Sequence, residues 1–189
     1  MVFSSRRRYD ANMAQNQLMV IRILWVGLFV STLLFLISGY VTVSSREDIP
    51  SPDPLLLPVL AFVSVGIAGA SLLFPRRLLA QSFRAAKYEV ADRPKEELMF
   101  KDIPGRPRRF VNPEAVRKSL PPKVQTPFIL SMALAEAVAL NGFVLWFLGF
   151  PLSQTIGFFV VCWILMIAQF PNPARYVQAL EKVYDADLQ

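Results

Sequence analysis

Apolar residues in this chain fall in long unbroken runs, not in the short alternations of soluble helices and strands. Ile23 to Val43 carries no charge, and neither does Pro54 to Phe74. From Thr126 to Pro173 the only ionisable carboxylate or amine is Glu136. Crossing a hydrocarbon core takes roughly 20 residues of helix. The last stretch, at 48 positions, is long enough for two passes, and Gly149-Phe150-Pro151-Leu152-Ser153-Gln154 supplies the turn between them. The pattern predicts an all-α, polytopic membrane protein with four transmembrane helices at about 18–43, 54–74, 127–149 and 154–170.

The segments between the runs read differently. Arg76 to Ala91 has helical spacing, with Leu79, Phe83, Ala86 and Val90 on one side and Arg77, Arg84 and Lys87 nearby. It is expected either to lie along lipid headgroups or simply to extend the second membrane helix. Asp92 to Lys123 is rich in proline and charge, which favours extended chain, with one short helix starting at Asn112-Pro113-Glu114. Asn172-Pro173 starts a last helix, striped by Tyr176, Leu180, Val183 and Tyr184. Four parts follow: a transmembrane hairpin (1–75), a basic loop (76–125), a second transmembrane hairpin (126–171) and a C-terminal helix (172–189).

Charge sets the expected orientation. Arg76 to Lys123 holds 13 basic and 6 acidic residues, whereas Ser44 to Asp53 holds only Arg46 against Glu47, Asp48 and Asp53. Positive loops stay on the cytoplasmic side, so both termini and the 76–123 loop are expected inside a plasma or inner membrane. Ser5-Arg6-Arg7-Arg8-Tyr9 is faintly like a twin-arginine export signal, but the apolar run after it suits a retained anchor better than a cleaved leader. Arg76, Arg77, Arg84, Lys87, Arg106, Arg108 and Arg109 are the expected docking cations, for anionic lipid headgroups or a protein partner. No nucleic-acid motif accompanies them.

Composition narrows the chemistry. Mean hydropathy is +0.41, 54% of the residues are hydrophobic, and there is no histidine. Histidine-ligated metals and cofactors and histidine-based triads are therefore excluded for this chain alone. No phosphate loop, paired cysteines or EF-hand spacing occurs, so no cofactor, no metal site and no enzymatic activity are expected. The single cysteine, Cys162, reads as a small buried hydrophobe.

The third run carries the clearest clue. Glu136 lies about 14 Å along the helix from Pro127, near mid-bilayer, where a carboxylate costs about 2.5 kcal/mol or more. Such a group is expected to be neutral, paired or hydrated. Asn141, five residues on and roughly 140° around, should face elsewhere. Ser64, Gly66, Gly69, Asn141 and Gly142 are the candidate helix-contact positions, small or polar enough to line close approaches within the chain or to another copy or subunit.

Ala133-Leu134-Ala135-Glu136-Ala137-Val138-Ala139-Leu140-Asn141-Gly142-Phe143-Val144 resembles the carboxylate-bearing helix of the ATP synthase c-subunit, the ring-forming proteolipid. The likeness covers 127–149 and extends loosely over 54–149, where Ser64, Gly66, Ala68 and Ala70 are similar to the glycine-rich first proteolipid helix. It implies that Glu136 binds and releases a transported proton or cation. The chain departs from that pattern in its 48-residue loop, its extra helix on each side of the hairpin and its lack of a full glycine ladder. Two functions stand: a subunit of a membrane complex that carries a proton or cation on Glu136, or a structural subunit that docks partners through its basic loop and C-terminal helix.

Overall fold

The computed structural model describes residues 3–45, 52–93 and 106–188. Among them are α1 (Phe3–Ser44), α2 (Leu56–Ala85), β1 (Val90–Asp92), β2 (Arg108–Phe110), α3 (Pro113–Phe147), α4 (Leu152–Ala168), α5 (Pro173–Tyr184) and β3 (Ala186–Asp187). The chain is mostly helical, and three helical stretches are long and apolar enough to cross a membrane: Met19–Val43, Leu56–Ala85 and Pro113–Phe147. Apolar α4 has 17 residues.

The described residues cluster into two compact units, one drawn from 21–75 and 128–170, the other from 1–20, 76–127 and 171–189. In the first, α1 packs against α3 and α4. Phe35 meets Phe143 at 5.9 Å between ring centroids, Phe29 meets Trp163 at 6.3 Å, and Trp25 meets Phe170 edge-on at 5.1 Å. Two glycines set how closely the helices approach. A Cβ on Gly39 would lie 2.7 Å from the Trp146 ring, and one on Gly142 would lie 2.6 Å from the Phe158 Cβ. α2 has an open face, with Phe62 81% and Val65 72% exposed.

The α3–α4 turn is closed by a left-handed glycine. Gly149 has φ 103°, its N–H donates to Trp146 O at 3.0 Å, and the Phe150 N–H donates to Leu145 O at 3.1 Å. This is the Schellman pattern, which satisfies two carbonyls at the helix end, and Pro151 then prevents continuation.

The second unit differs from the sequence expectation in three ways. Helix is expected to run to Ala91, but α2 ends at Ala85; Lys87 takes φ 46° and β1 starts at Val90. The chain turns there because Tyr88 has a ring cluster to join, at 6.1 Å from Phe110 and 5.6 Å from Tyr184. Second, an all-α chain is expected, yet β1 pairs antiparallel with β2 and β2 pairs parallel with β3. Hydrophobic periodicity does not register strands of two or three residues.

Third, extended chain with one short helix starting at Asn112 is expected up to Lys123, and a separate membrane helix from 127, but α3 is one helix from Pro113 with Pro121, Pro122 and Pro127 inside it. Each proline removes a backbone bond. The compensation is a stripe of buried residues at helical spacing, Val116, Leu120, Val124, Phe128 and Met132. The start is as anticipated: Asn112 Oδ1 accepts from the Ala115 N–H at 3.1 Å. Arg46, Glu47 and Asp48 of the acidic connection and Pro94 and Pro104 of the proline-rich segment lie outside the described residues.

The tail forms the expected last helix, α5, and clusters with this unit. Asn172 caps α5, accepting from the Ala174 N–H at 3.0 Å, and Asp185 ends it in left-handed conformation. Beyond it, Asp187 receives Arg93 Nη2 at 3.2 Å, Arg106 Nη1 donates to Glu181 O at 2.6 Å, and Arg117 Nη2 donates to Leu188 O at 3.1 Å. Leu180, Ala186 and Leu188 are buried beneath these contacts.

The glycine contacts make a direct prediction. Gly142→Val should lower stability in detergent by about 1–3 kcal/mol, the range for overpacking. Gly66→Val should cost far less, because nothing lies within 4 Å of a Cβ there. Thermal melting of the two variants checks this, and equal losses would contradict the packing described.

Candidate functional site

A polar side chain inside an apolar helix bundle must find a partner there, because lipid offers none. α1 supplies most of those partners from one short stretch. Ser31 Oγ donates to Glu136 Oε1 of α3 at 2.5 Å. The next residue, Thr32, is fully buried; it accepts from the Trp163 indole N–H of α4 at 3.0 Å and donates to Phe29 O at 2.8 Å. Two turns earlier, the Trp25 indole N–H donates to Met166 O at 2.9 Å. That carbonyl lies in the last turn of α4, where intrahelical donors run out.

Glu136 is half-buried, with Ala135 and Ala139 buried on either side and Ala133 exposed. Its partner comes from the same chain, and it is neither Ser64 nor Ser71. Ser64 accepts from Asn141 Nδ2 at 2.9 Å, and Ser71 accepts from Gln169 Nε2 at 3.4 Å while donating to Ala68 O at 2.8 Å. Glu136 thus turns to α1 and Asn141 to α2. Gly142 is the close approach to α4, whereas Gly66 and Gly69 face open space.

Ser31 is the position that sequence reading missed. The signal was there: Ser31-Thr32 is a hydroxyl pair near the centre of the charge-free run Ile23–Val43, at the depth of Glu136 in its own run. Depth matching between runs picks it out, whereas inspecting each run alone does not.

The hydroxyl arithmetic at Ser31 constrains the chemistry. Ser31 Oγ lies 2.5 Å from Glu136 Oε1 and 2.9 Å from Leu28 O, yet a hydroxyl has one hydrogen. With a carboxylate, that hydrogen is shared or the Leu28 contact lapses. With a neutral acid, Glu136 donates to Ser31 and Ser31 donates to Leu28, so both contacts are complete.

The docking cations divide. Arg76, Arg77, Arg84 and Lys87 are exposed, the first three on α2 and the last just after it. Arg106 is turned inward to Glu181 O, Asp185 and Asp187. Arg108 pairs with Asp92 at 3.2 Å, and Arg109 is exposed on β2. Arg106 therefore takes part in the internal clasp on the tail. Among the described residues, no three Cys, Asp or Glu side chains come together as a metal site. No protein-family model matches the chain, and no curated protein or solved structure proves similar to it.

The Ser31–Glu136 bond can be measured by a double-mutant cycle of Ser31→Ala and Glu136→Ala, read by unfolding in mixed micelles. A coupling of about 0.6–1.7 kcal/mol is expected for a bond of this kind within a membrane bundle. Strict additivity would mean that the contact holds nothing together.

Proposed function

We propose that the chain is a four-span, non-enzymatic subunit of a plasma- or inner-membrane complex, in which Glu136 is a hydrogen-bonding tie between helices. The observation that carries this reading is the 2.5 Å contact between Glu136 and Ser31 of the same chain. A carboxyl that loads a cation from water needs open coordination, whereas this one is held by a hydroxyl next to the Thr32–Trp163 bond. The exposed apolar face of α1, including Gly27 with no neighbour within 4 Å, leaves room for another subunit's helices.

Charge-free α4 is taken as the fourth span. α5 is taken to lie outside the hydrocarbon, because Arg175, Glu181, Lys182 and Asp185 recur along or just after it. Four passes put both termini on one side, and the basic excess of 76–123 makes that side cytoplasmic. Cysteines replacing Ser45 or Ser153, both exposed, should then react with an impermeant reagent on intact cells, and one replacing exposed Glu114 should not. Labelling at 114 from outside would reverse the orientation.

The second reading is proton handling, in line with the proteolipid-like sequence around Glu136. What favours it is that Ser31 Oγ lies within hydrogen-bond distance of both Glu136 Oε1 and Leu28 O, so the hydroxyl can either donate to Glu136 or accept from it. Glu136→Gln separates the readings, because it keeps a hydrogen-bonding group while removing titration. If Glu136 is a tie, Gln preserves assembly size in mild detergent, Ala reduces it, and proteoliposomes of the native chain and the Gln variant pass protons alike. A proton flux above that of the Gln variant, blocked by a hydrophobic carbodiimide, would sink the tie reading in favour of carriage.

A further inference from the structure

We infer that α2 carries a binding site for the phosphate groups of acidic phospholipids, formed by Arg76, Arg77 and Arg84. The argument begins with a helical face. Val59, Phe62, Gly66, Gly69 and Leu73 follow one another at three- and four-residue spacing, and all are exposed. Ser64 and Ser71, on the opposite side of the same helix, are buried and bonded to Asn141 and Gln169. The open face is therefore the one that meets hydrocarbon. Arg76 and Arg77 follow this stretch in sequence and Arg84 lies about two turns further along α2; all three are exposed, while Phe83, next to Arg84, is fully buried.

The change from apolar to cationic along the chain is abrupt. Arg76 lies three residues past Leu73, about 5 Å along the helix. The headgroup layer is about 5–7 Å thick on each side of the hydrocarbon, so Arg76 and Arg77 fall within it. Arg84 stands about 10–12 Å further along, near the reach of the surface potential at physiological salt. Guanidinium groups give paired, planar donors suited to phosphate oxygens. Orientation by positive charge alone would be met by cations anywhere in the 76–123 segment; three exposed arginines directly after the apolar run are more than it requires. Arg108, tied to Asp92, and Arg106, tied to Asp187, are the contrast: cations of the same unit that serve internal contacts.

The test uses the full chain in mild detergent, titrated separately with phosphatidylglycerol and phosphatidylcholine and read by native mass spectrometry. Phosphatidylglycerol should bind at least about tenfold more tightly, because a cation near an anionic surface contributes up to about fivefold (about 1 kcal/mol) and three act together. The Arg76→Gln/Arg77→Gln/Arg84→Gln variant should bring the two lipids to within about twofold of each other. The corresponding Lys variant should keep a preference, since charge is retained, and Arg108→Gln should leave it unchanged. Equal binding of both lipids by the native chain overturns the site, as does a preference that survives the Gln variant.

Discussion

Inside hydrocarbon, a polar atom that lacks a partner costs several times what a bond to that partner contributes, so pairing decides how these helices are arranged. α1 is where the pairing converges. Trp25, Ser31 and Thr32 reach three positions on α3 and α4, and each is a neutral or charge-assisted hydrogen bond across helices. Apolar packing alone would let α1 slide or rotate against its neighbours, since lipid chains are as apolar as leucine. The three bonds fix its register, and the close contacts at Gly39 and Gly142 fix its distance and that of α4.

The other unit solves a different problem, how to order a short, charged, proline-rich stretch. A sheet with strands of three, three and two residues is too small to hold by its ladder. What holds it is the ring cluster of Tyr88, Phe110 and Tyr184, with the Tyr184 hydroxyl donating to Phe83 O at 2.6 Å, and the arginine clasp on the tail. Arg93 is 7% exposed and ion-paired to Asp187, so removing either partner would strand a buried charge. Lys123 adds a cation over the Tyr88 ring at 4.5 Å and a bond to its hydroxyl at 2.9 Å.

The apolar runs were plain in the sequence because a membrane imposes its length scale on every residue of a span. The Gly149 turn and the Asn112 and Asn172 caps were plain because each is a local signal. The strands and the clasp were not. Arg93 and Asp187 are 94 positions apart in sequence and neither is distinctive in composition, so only folding brings them together. The unbroken α3 was hidden for the opposite reason. Its prolines are a strong local signal against helix, and the buried stripe from Val116 to Met132 outweighs them. At Glu136 the sequence marks a polar group that needs a partner, but the identity of that partner depends on which runs lie side by side.

α2 and α1 are unequal members of the same bundle. α1 is held by an acid, an indole donor and a buried hydroxyl. The polar contacts of α2 are a neutral amide–hydroxyl bond at Asn141 and Ser64 and a longer one, 3.4 Å, between Gln169 and Ser71. The Gln169 Oε1 is buried with no hydrogen-bond partner among the described residues, so that second contact leaves one acceptor uncompensated. Local stability follows such differences, and the element with fewer and poorer buried contacts is the first to shift. α2 thus has the weaker polar ties of the two, and it is also the helix that runs on into Arg76, Arg77 and Arg84. A ligand that binds those residues better in one placement of α2 than in another would bias its placement by the difference in affinity and no more.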